Sequence, residues 1–266
     1  MNAATHATAQ PYINSSDPQI SPQRLEAVGQ GDQKLYDLNF CLPVKELENE
    51  RVRLTPFIPS LHASLYTDAT RTHPGLYRYF PWGPFPDLSS TQNFFEVSVR
   101  QVAHLVVWAV IDKTRPDPAH PELGGGSLAG TIGLLNTSPE HLMTEIGHIL
   151  IFPSFQRTHV ATNAIGLLLN YCFDAPTSTT PGLGMRRVQW QAHAENAASI
   201  RTAERMGLKL EGIIRWQRVL RQDKEGLVRD NDGTKPGRHS ALLAVCWDDW
   251  ECGVKDHVNR LIVRTV

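Results

Sequence analysis

The spacing of apolar residues divides the chain into segments with the period of a strand and segments with the period of a helix. Alternation from Arg51 to Pro59 predicts a half-buried first strand. Apolar residues then recur at helical spacing in residues 60–70 and 89–103, where we expect Ser60 and Ser89 to cap two helices. Residues 73–87, between these helices, are rich in aromatic residues and prolines, which favours an irregular ligand-binding wall.

The remainder of the chain predicts six more strands and two more helices. Continuous or alternating apolar runs indicate strands at residues 104–112, 127–138, 144–152, 186–194, 208–220 and 240–250. After Pro153 the period becomes helical, with apolar residues at Ala161, Ala164, Ile165, Leu168 and Leu169. A second helix runs from Asn196 to Gly207. The predicted element order is therefore β-α-α-β-β-β-α-β-α-β-β.

The two ends of the chain lack this pattern. Residues 1–33 are polar, with scattered prolines and glycines, which predicts a flexible N-terminal arm. We expect one domain over residues 34–250, followed by a helical C-terminal extension over residues 251–266.

Composition and charge narrow the classes of partner. The 266 residues include 26 basic and 27 acidic ones, for a formal charge of −1, which argues against a general binder of nucleic acid or of a membrane surface. The four cysteines have neither C-x-x-C nor zinc-site spacing, so we expect reduced thiols and no metal. The sequence contains no membrane span or secretory signal, which predicts a cytoplasmic protein and leaves the nucleus open.

Two stretches resemble a known family. The first, residues 144–164, contains Gln156 and Ala161 at the ends of a motif that reads Gln or Arg, two residues, Gly, one residue, then Gly or Ala, although His159 stands at the central glycine. The second, residues 195–212, contains an Asn, a small residue three positions later, and a helix that ends in Gly. With the element order, these motifs resemble the Gcn5-related N-acetyltransferase (GNAT) superfamily from about Arg51 to Trp250, and within it the ribosomal-protein alanine N-acetyltransferase-like branch.

The resemblance implies the fold and the cofactor. It implies a single α/β domain with a mixed, mostly antiparallel, twisted sheet that splits at the fourth and fifth strands, helices on both faces, and acetyl-CoA in the split. Unpaired N–H groups at a helix start attract a diphosphate. The residues expected at that loop are Gln156, Arg157, Thr158, His159, Val160 and Ala161, of which Arg157, Thr158 and His159 would add side-chain donors. The alternative is an ordinary polar helix start without a ligand.

Further cofactor contacts are implied along the pantetheine arm. The backbone of Ile149, Leu150 and Ile151 would pair with it as an additional strand would. Asn196 would bind a pantetheine amide while also capping its helix.

The resemblance also implies two catalytic residues. Glu145 occupies the position of a general base that acts through water, although it could equally be a solvated acid at a strand end. A tyrosine that many family members use to protonate the leaving thiolate is replaced here by Ala203. Ser199, one helical turn earlier, is the candidate helper at the sulfur, or is a serine selected only for its size.

The acceptor cleft is expected to involve aromatic residues and a histidine. The candidates are Tyr77, Tyr79, Trp82, Phe85 and His148, with ordinary packing as the alternative role. His148 lies three residues after Glu145, hence on the opposite face if the strand has no bulge. Arg215, Arg218 and Arg221 on the next-to-last strand are more typical of a solvated face than of an anion site.

These expectations combine into a functional hypothesis. The chain would transfer an acyl group, most simply acetyl, from acetyl-CoA to a primary amine of a small molecule or a peptide N-terminus, as a monomer or homodimer. Transfer would require proximity, a base and oriented donors. Two alternatives stay open: a regulatory CoA-binding protein on the same scaffold without turnover, and a structural protein whose loop binds nothing.

Overall fold

The computed structural model describes residues 11–15, 35–229 and 235–264. The strands in this part of the chain are β1 (Tyr12–Ile13), β2 (Tyr36–Asp37), β3 (Leu47–Glu48), β4 (Val52–Pro56), β5 (Val106–Asp112), β6 (Ser127–Ser138), β7 (Met143–Ile151), β8 (Arg187–His193), β9 (Lys209–Val219) and β10 (Gly237–Cys246). The α-helices are α1 (Pro59–Arg71), α2 (Leu88–Asn93), α3 (His159–Phe173), α4 (Ala197–Arg205), α5 (Trp247–Asp249) and α6 (Lys255–Val263). A π-helical turn, Phe94–Arg100, continues α2.

Eight strands form one sheet in the order β3-β4-β5-β6-β7-β8-β10-β9. All neighbouring strands are antiparallel except β7 and β8, which are parallel. Their pairing covers only three residue pairs, from Met143 with Arg187 to Glu145 with Gln189. Because β7 and β8 are the fourth and fifth predicted strands, the predicted mixed sheet and its split are confirmed.

Helices cover both faces of the sheet. α1 packs against α2, and the Phe57 ring stacks on Phe95 with centroids 3.9 Å apart. α3 and α6 pack together, and Gly166 allows the close approach, since a Cβ there would collide with the Ile262 side chain. The predicted apolar positions Ala164, Ile165, Leu168 and Leu169 of α3 are all buried. The hydrophobic core therefore runs continuously beneath the strands that border the split.

Several local predictions were wrong. α1 starts at Pro59 after Ile58, and α2 is capped by Asp87, whose carboxylate accepts from the Ser90 N–H at 2.7 Å; neither Ser60 nor Ser89 is an N-cap. The last strand ends at Cys246, because residues 247–249 turn into α5. The expected C-terminal extension contains α6.

The described residues 11–15 fall within the expected N-terminal arm. They pair with β2 through Tyr12 and Ile13, and the Tyr12 side chain is buried. The arm otherwise lies outside the described residues. No helix in the described part of the chain has the length and apolar composition needed to cross a bilayer.

Candidate active site

A cavity of about 1150 Å³ opens where β7 and β8 separate. Main-chain pairing between these strands ends at Glu145 and Gln189, so the following residues of each strand form facing walls. The starts of α3 and α4 and the aromatic segment after α1 complete the lining. The cavity is therefore a direct result of the change from parallel pairing to divergence.

Glu145 lies at the point of separation and is the buried carboxylate of the cavity wall. Its side chain is 3% exposed. Its Oε2 accepts hydrogen bonds from Asn136 Nδ2 at 2.9 Å and from Gln189 Nε2 at 3.4 Å. Burial raises the pKa of Glu145, and the two amide donors partly oppose this effect. The carboxylate is thus held in a fixed orientation and is more basic than an ordinary glutamate.

His148 shares the cavity with Glu145, because β7 is not the regular strand on which the two side chains would lie on opposite faces. β7 has a register irregularity opposite residues 131–133, and His148 has a left-handed φ of 50°. Such a bulge reverses the side-chain alternation. The His148 ring stacks on Trp82 with centroids 5.2 Å apart. Burial, and then Arg218, lower the pKa of His148 to about 4, so the ring is neutral at neutral pH.

Ser199 and Asn196 meet the cavity at the start of α4. Asn196 is the N-cap, as predicted, since its Oδ1 accepts from the Ser199 N–H at 3.1 Å. The Ser199 hydroxyl oxygen accepts from Trp190 Nε1 at 2.9 Å. No protein acceptor in the described residues takes the Ser199 hydroxyl proton, which leaves it available to a ligand. Ala203 is buried and is not part of the cavity wall.

In the loop before α3, the residue with a left-handed backbone conformation is Arg157 and not His159. Arg157 has a φ of 60°, whereas His159 is the first helical residue, with Thr158 as N-cap. His159, which replaces the family's central glycine, therefore does not have to adopt the left-handed backbone conformation that glycine favours. Among the first three N–H groups of α3, within the described chain, only that of Val160 has an acceptor, the Thr158 hydroxyl at 3.3 Å.

Two side chains expected to contact a diphosphate are engaged elsewhere. The His159 Nε2 lies 3.2 Å from Oδ1 of the buried Asp112. The Thr158 hydroxyl donates to the Phe155 carbonyl at 2.6 Å. Gln156 Nε2 donates to the Ile151 carbonyl at 2.9 Å and so fixes the turn between β7 and α3. The exposed Arg157 and the main-chain N–H groups stay available for an anion.

Of the predicted acceptor residues, Tyr79, Trp82 and His148 line the cavity and two do not. Tyr77 is 1% exposed and its hydroxyl donates to Tyr66 at 3.1 Å. Phe85 packs against Tyr77 and Trp82 behind the wall. A run of aromatic residues does not reveal which members face a ligand, because the chain reverses within it.

The aromatic segment is hydrogen-bonded to the loop between β9 and β10 and to the start of β10. Lys224 Nζ donates to the carbonyls of Tyr77 at 3.0 Å and Trp82 at 3.1 Å. Arg238 Nη1 donates to the Tyr79 carbonyl at 3.0 Å. Two segments distant in the sequence thus form one side of the cavity.

The sequence did not single out several polar residues of the cavity. Asn136, Trp190, Arg218 and Arg238 line it, and Gln189 bonds to Glu145 at its edge. Asn136 has a φ of 50° at an irregularity of β6, which a strand pattern does not reveal. Arg218 was noticed but was grouped with Arg215 and Arg221, which do not line the cavity.

Comparison with known proteins places this geometry in a family. The family profile described as an acetyltransferase (GNAT) domain matches residues 51–209, more than half of the chain. The chain belongs to the GNAT acetyltransferase family. A curated relative, the uncharacterized N-acetyltransferase YoaA of Bacillus subtilis, is 33% identical over 88 residues, which cover 33% of this chain and 45% of that protein. The match thus spans less than half the length of that relative.

Solved structures of GNAT proteins share the fold. A GCN5-related N-acetyltransferase from Brucella melitensis superposes with a TM-score of 0.66 at 26% identity, over 82% of this chain and 86% of that one. RimJ of Mycobacterium smegmatis, solved with CoA-disulfide, superposes with a TM-score of 0.57 at 16% identity, over 82% and 93% of the two chains. The GNAT fold predicted from the sequence is confirmed.

Proposed function

We propose that the chain transfers an acetyl group from acetyl-CoA directly to a primary amine of a small molecule or a peptide N-terminus. The position of Glu145 carries the proposal: a buried, raised-pKa carboxylate stands where β7 and β8 part, facing the cavity. Family membership supports the reaction type.

The residues around the gap between β7 and β8 fit acetyl-CoA. The β7 edge beyond Glu145 has no β8 partner, which suits an extended amide-containing arm that pairs as a strand does. The free N–H groups of His159 and Ala161, with the exposed Arg157, suit a diphosphate at the other end. Asn196 Nδ2 makes no hydrogen bond within the described residues and borders the same cavity, so it suits a pantetheine carbonyl.

Glu145 is assigned as the general base. Acetyl-CoA supplies an activated thioester, whose carbonyl carbon bonds to the amine nitrogen as the carbon–sulfur bond breaks. The amine reacts only after its ammonium proton is removed, and Glu145 accepts that proton, directly or through one water. Its raised pKa brings its basicity nearer to neutral pH.

Ser199 is assigned to the leaving sulfur. Because Trp190 donates to its oxygen, the hydroxyl proton points away from the indole and can stabilise a developing thiolate. The missing tyrosine at Ala203 is compatible with this assignment, since a thiol of moderate acidity departs with little assistance.

The finer assignment to the ribosomal-protein alanine N-acetyltransferase-like branch rests on the motif at residues 196–208. Asn196, Ser199 and Gly207 are its members, and α4 ends just before Gly207, which has a φ of 93°. This branch acts on peptide N-termini, so we include peptides in the acceptor panel.

The test is release of free thiol from acetyl-CoA with a panel of primary amines and short peptides, together with calorimetric binding of CoA. We expect amine-dependent thiol release that Glu145→Gln slows strongly without weakening CoA binding. Binding without thiol release for any amine would favour the regulatory CoA-binding alternative. Absence of CoA binding would overturn the assignment of the gap.

A further inference from the structure

The acceptor end of the cavity contains two arginines and one carboxylate. Arg218 of β9 and Arg238 of β10 line the wall together with Glu145. Glu140 also borders the cavity, but its side chain is exposed between β6 and β7. Arg157 lies at the phosphate end. Within the part of the chain that the structure describes, the charges that face an acceptor amine are therefore those of Arg218, Arg238 and Glu145.

Arg238 is buried and fixed. Its side chain is 5% exposed, and its Nε donates to Ser240 Oγ at 3.1 Å while Nη1 donates to the Tyr79 carbonyl. Its Nη2 has no hydrogen-bond partner within the described residues. Burial, and then the neighbouring Arg218, lower the pKa of Arg238 to about 10, so the guanidinium is still charged at neutral pH.

Arg218 makes neither a hydrogen bond nor an ion pair with any described residue. The other two arginines of this part of the sequence, Arg215 and Arg221, have different environments. Arg221 is bound to Asp223 at 2.9 Å, and Arg215 is exposed outside the cavity. The register of β9 is irregular between Ile214 and Arg218, and on this strand Arg218 lines the cavity whereas Arg215 does not. Arg218 is thus a partly buried cation without an ion-pair partner among the described residues.

The charge balance favours one class of acceptor. Among the described residues, one buried carboxylate, that of Glu145, faces two guanidinium groups, and the adjacent His148 is neutral. A polycationic acceptor would meet repulsion, whereas an anion would gain charge-assisted hydrogen bonds in a partly desolvated site. Resting on the proposed transferase function, we propose that the acceptor carries an anionic group, a carboxylate or a phosphate-type oxyanion, beside its amine and that Arg218 binds this group.

This arrangement gives Arg218 a positioning role. An anionic group held at Arg218, supported by Nη2 of Arg238, anchors the acceptor on the β9–β10 side of the cavity. The amine of a short molecule is then directed toward Glu145 across the cavity. Specificity arises because a neutral acceptor would leave both guanidinium groups without a partner.

The test compares acceptors of the same length and different charge. The small-molecule arm uses 3-aminopropanoate, 3-aminopropylphosphonate, 3-aminopropanol and 1,3-diaminopropane. The peptide arm uses Ser-Glu-Gly amide and Ser-Gln-Gly amide. We expect the anionic member of an arm to exceed its neutral counterpart about tenfold or more in kcat/KM, and the arm that shows this identifies the source of the anion.

Variants assign the preference to one residue. Arg218→Gln should remove the preference by raising KM for the anionic acceptor, Arg218→Lys should restore part of it, and Arg215→Gln on the same strand should leave it unchanged. CoA affinity should be equal in all three. A wild-type preference for the neutral or dicationic amine, or an unchanged preference in Arg218→Gln, would overturn the proposal.

Binding separates this inference from the proposed function. If no amine is acetylated, titration of 3-aminopropanoate and 3-aminopropylphosphonate into CoA-loaded protein decides the matter. Binding that Arg218→Gln weakens about tenfold would support the anion site while the transferase assignment fails. Equal binding of 3-aminopropanol, or no binding of any probe, would refute the anion site.

Discussion

The indole Nε1 of Trp190 donates a 2.9 Å hydrogen bond to the hydroxyl oxygen of Ser199. The bond joins β8 to the first turn of α4 and fixes the serine at the cavity wall. It also determines the polarity of the hydroxyl, which accepts from the indole and can donate only toward the cavity. The Ser199 side chain is thus oriented by a neighbouring strand.

Removal of the Ser199 hydroxyl should slow turnover without weakening cosubstrate binding. Ser199→Ala is expected to lower kcat roughly tenfold, because the leaving sulfur loses one donor. KM for acetyl-CoA should stay within a few-fold of the wild-type value. Trp190→Phe is the matched variant, since it removes the donor and keeps the ring; it should lower kcat less than Ser199→Ala. An unchanged kcat in Ser199→Ala would show that the serine only fills space.

Loss of the carboxylate at position 145 should affect the chemical step most. Glu145→Gln is expected to lower kcat/KM by roughly 10²–10⁴-fold, the usual contribution of a general base. Calorimetry should give an unchanged CoA affinity. A loss of less than about threefold would contradict the role of Glu145 as base.

The pH dependence of that step follows from the raised pKa of Glu145. A base works only when deprotonated, so the acid limb of the kcat/KM profile should lie above the ordinary glutamate value. Asn136→Ala removes a hydrogen bond to the carboxylate that lowers its pKa, and should move the limb to higher pH. A limb that moves to lower pH, or does not move, would contradict this origin of the shift.

The loop before α3 allows the contributions of side-chain charge and backbone conformation to be tested separately. Arg157→Gly should weaken CoA binding about tenfold or more through the lost guanidinium, yet leave the melting temperature unchanged or raised, because glycine adopts a φ of 60° without strain. Arg157→Ala should weaken binding equally and should melt at a lower temperature than Arg157→Gly, because alanine keeps the Cβ that is strained at this φ. His159→Ala is the control: its ring faces Asp112, so CoA affinity should change less than threefold. A larger loss there would place the imidazole on the diphosphate.

A buried histidine in α1 should make the fold sensitive to acid. Burial lowers the pKa of His62 to about 4, and its Nδ1 accepts from the Ile58 N–H at 2.9 Å. The unfolded state binds the proton first, so stability is lost as pH falls from about 6.5 toward 4, by roughly 3 kcal/mol. Urea titrations of His62→Asn, whose amide oxygen can accept the same bond, should show a shallower loss over this range. The exposed His141→Asn should match the wild type.

The tie between the aromatic segment and the β9–β10 loop should affect the acceptor alone. Lys224→Met keeps the aliphatic stem and removes the two bonds to Tyr77 and Trp82. KM for the best amine should rise severalfold, while CoA affinity stays constant. An equal weakening of amine binding and CoA binding would indicate a general loss of folding.

The sequence specified the sheet better than the cavity. Strand and helix periods identified β7, α3, β8 and α4 within a few residues. Burial of one face of an element requires apolar residues at regular spacing, and this spacing is visible in the sequence. The cavity depends on departures from those repeats. His148, Asn136 and Trp216 all have positive φ, and each lies in or beside a strand whose alternation predicted a regular course.

Caps and partners were harder to predict for a different reason. Ser89 and Asp87 are both residue types that cap helices. Which of them is the N-cap depends on the course of the preceding loop, which the local sequence does not show. The engagement of His159 with Asp112 joins residues 47 positions apart, and no local pattern encodes it. The catalytic roles of Glu145 and Ser199 stay predictions.

The three-pair seam between β7 and β8 has a consequence for the dynamics of the whole sheet. Two antiparallel halves meet there with little main-chain continuity, so amide hydrogens of β7 beyond Glu145 that face the gap should exchange with deuterium sooner than those facing β6. An extended ligand that pairs with both strands would connect the two halves of the sheet. Its binding should therefore slow amide hydrogen exchange in β7 and in β8.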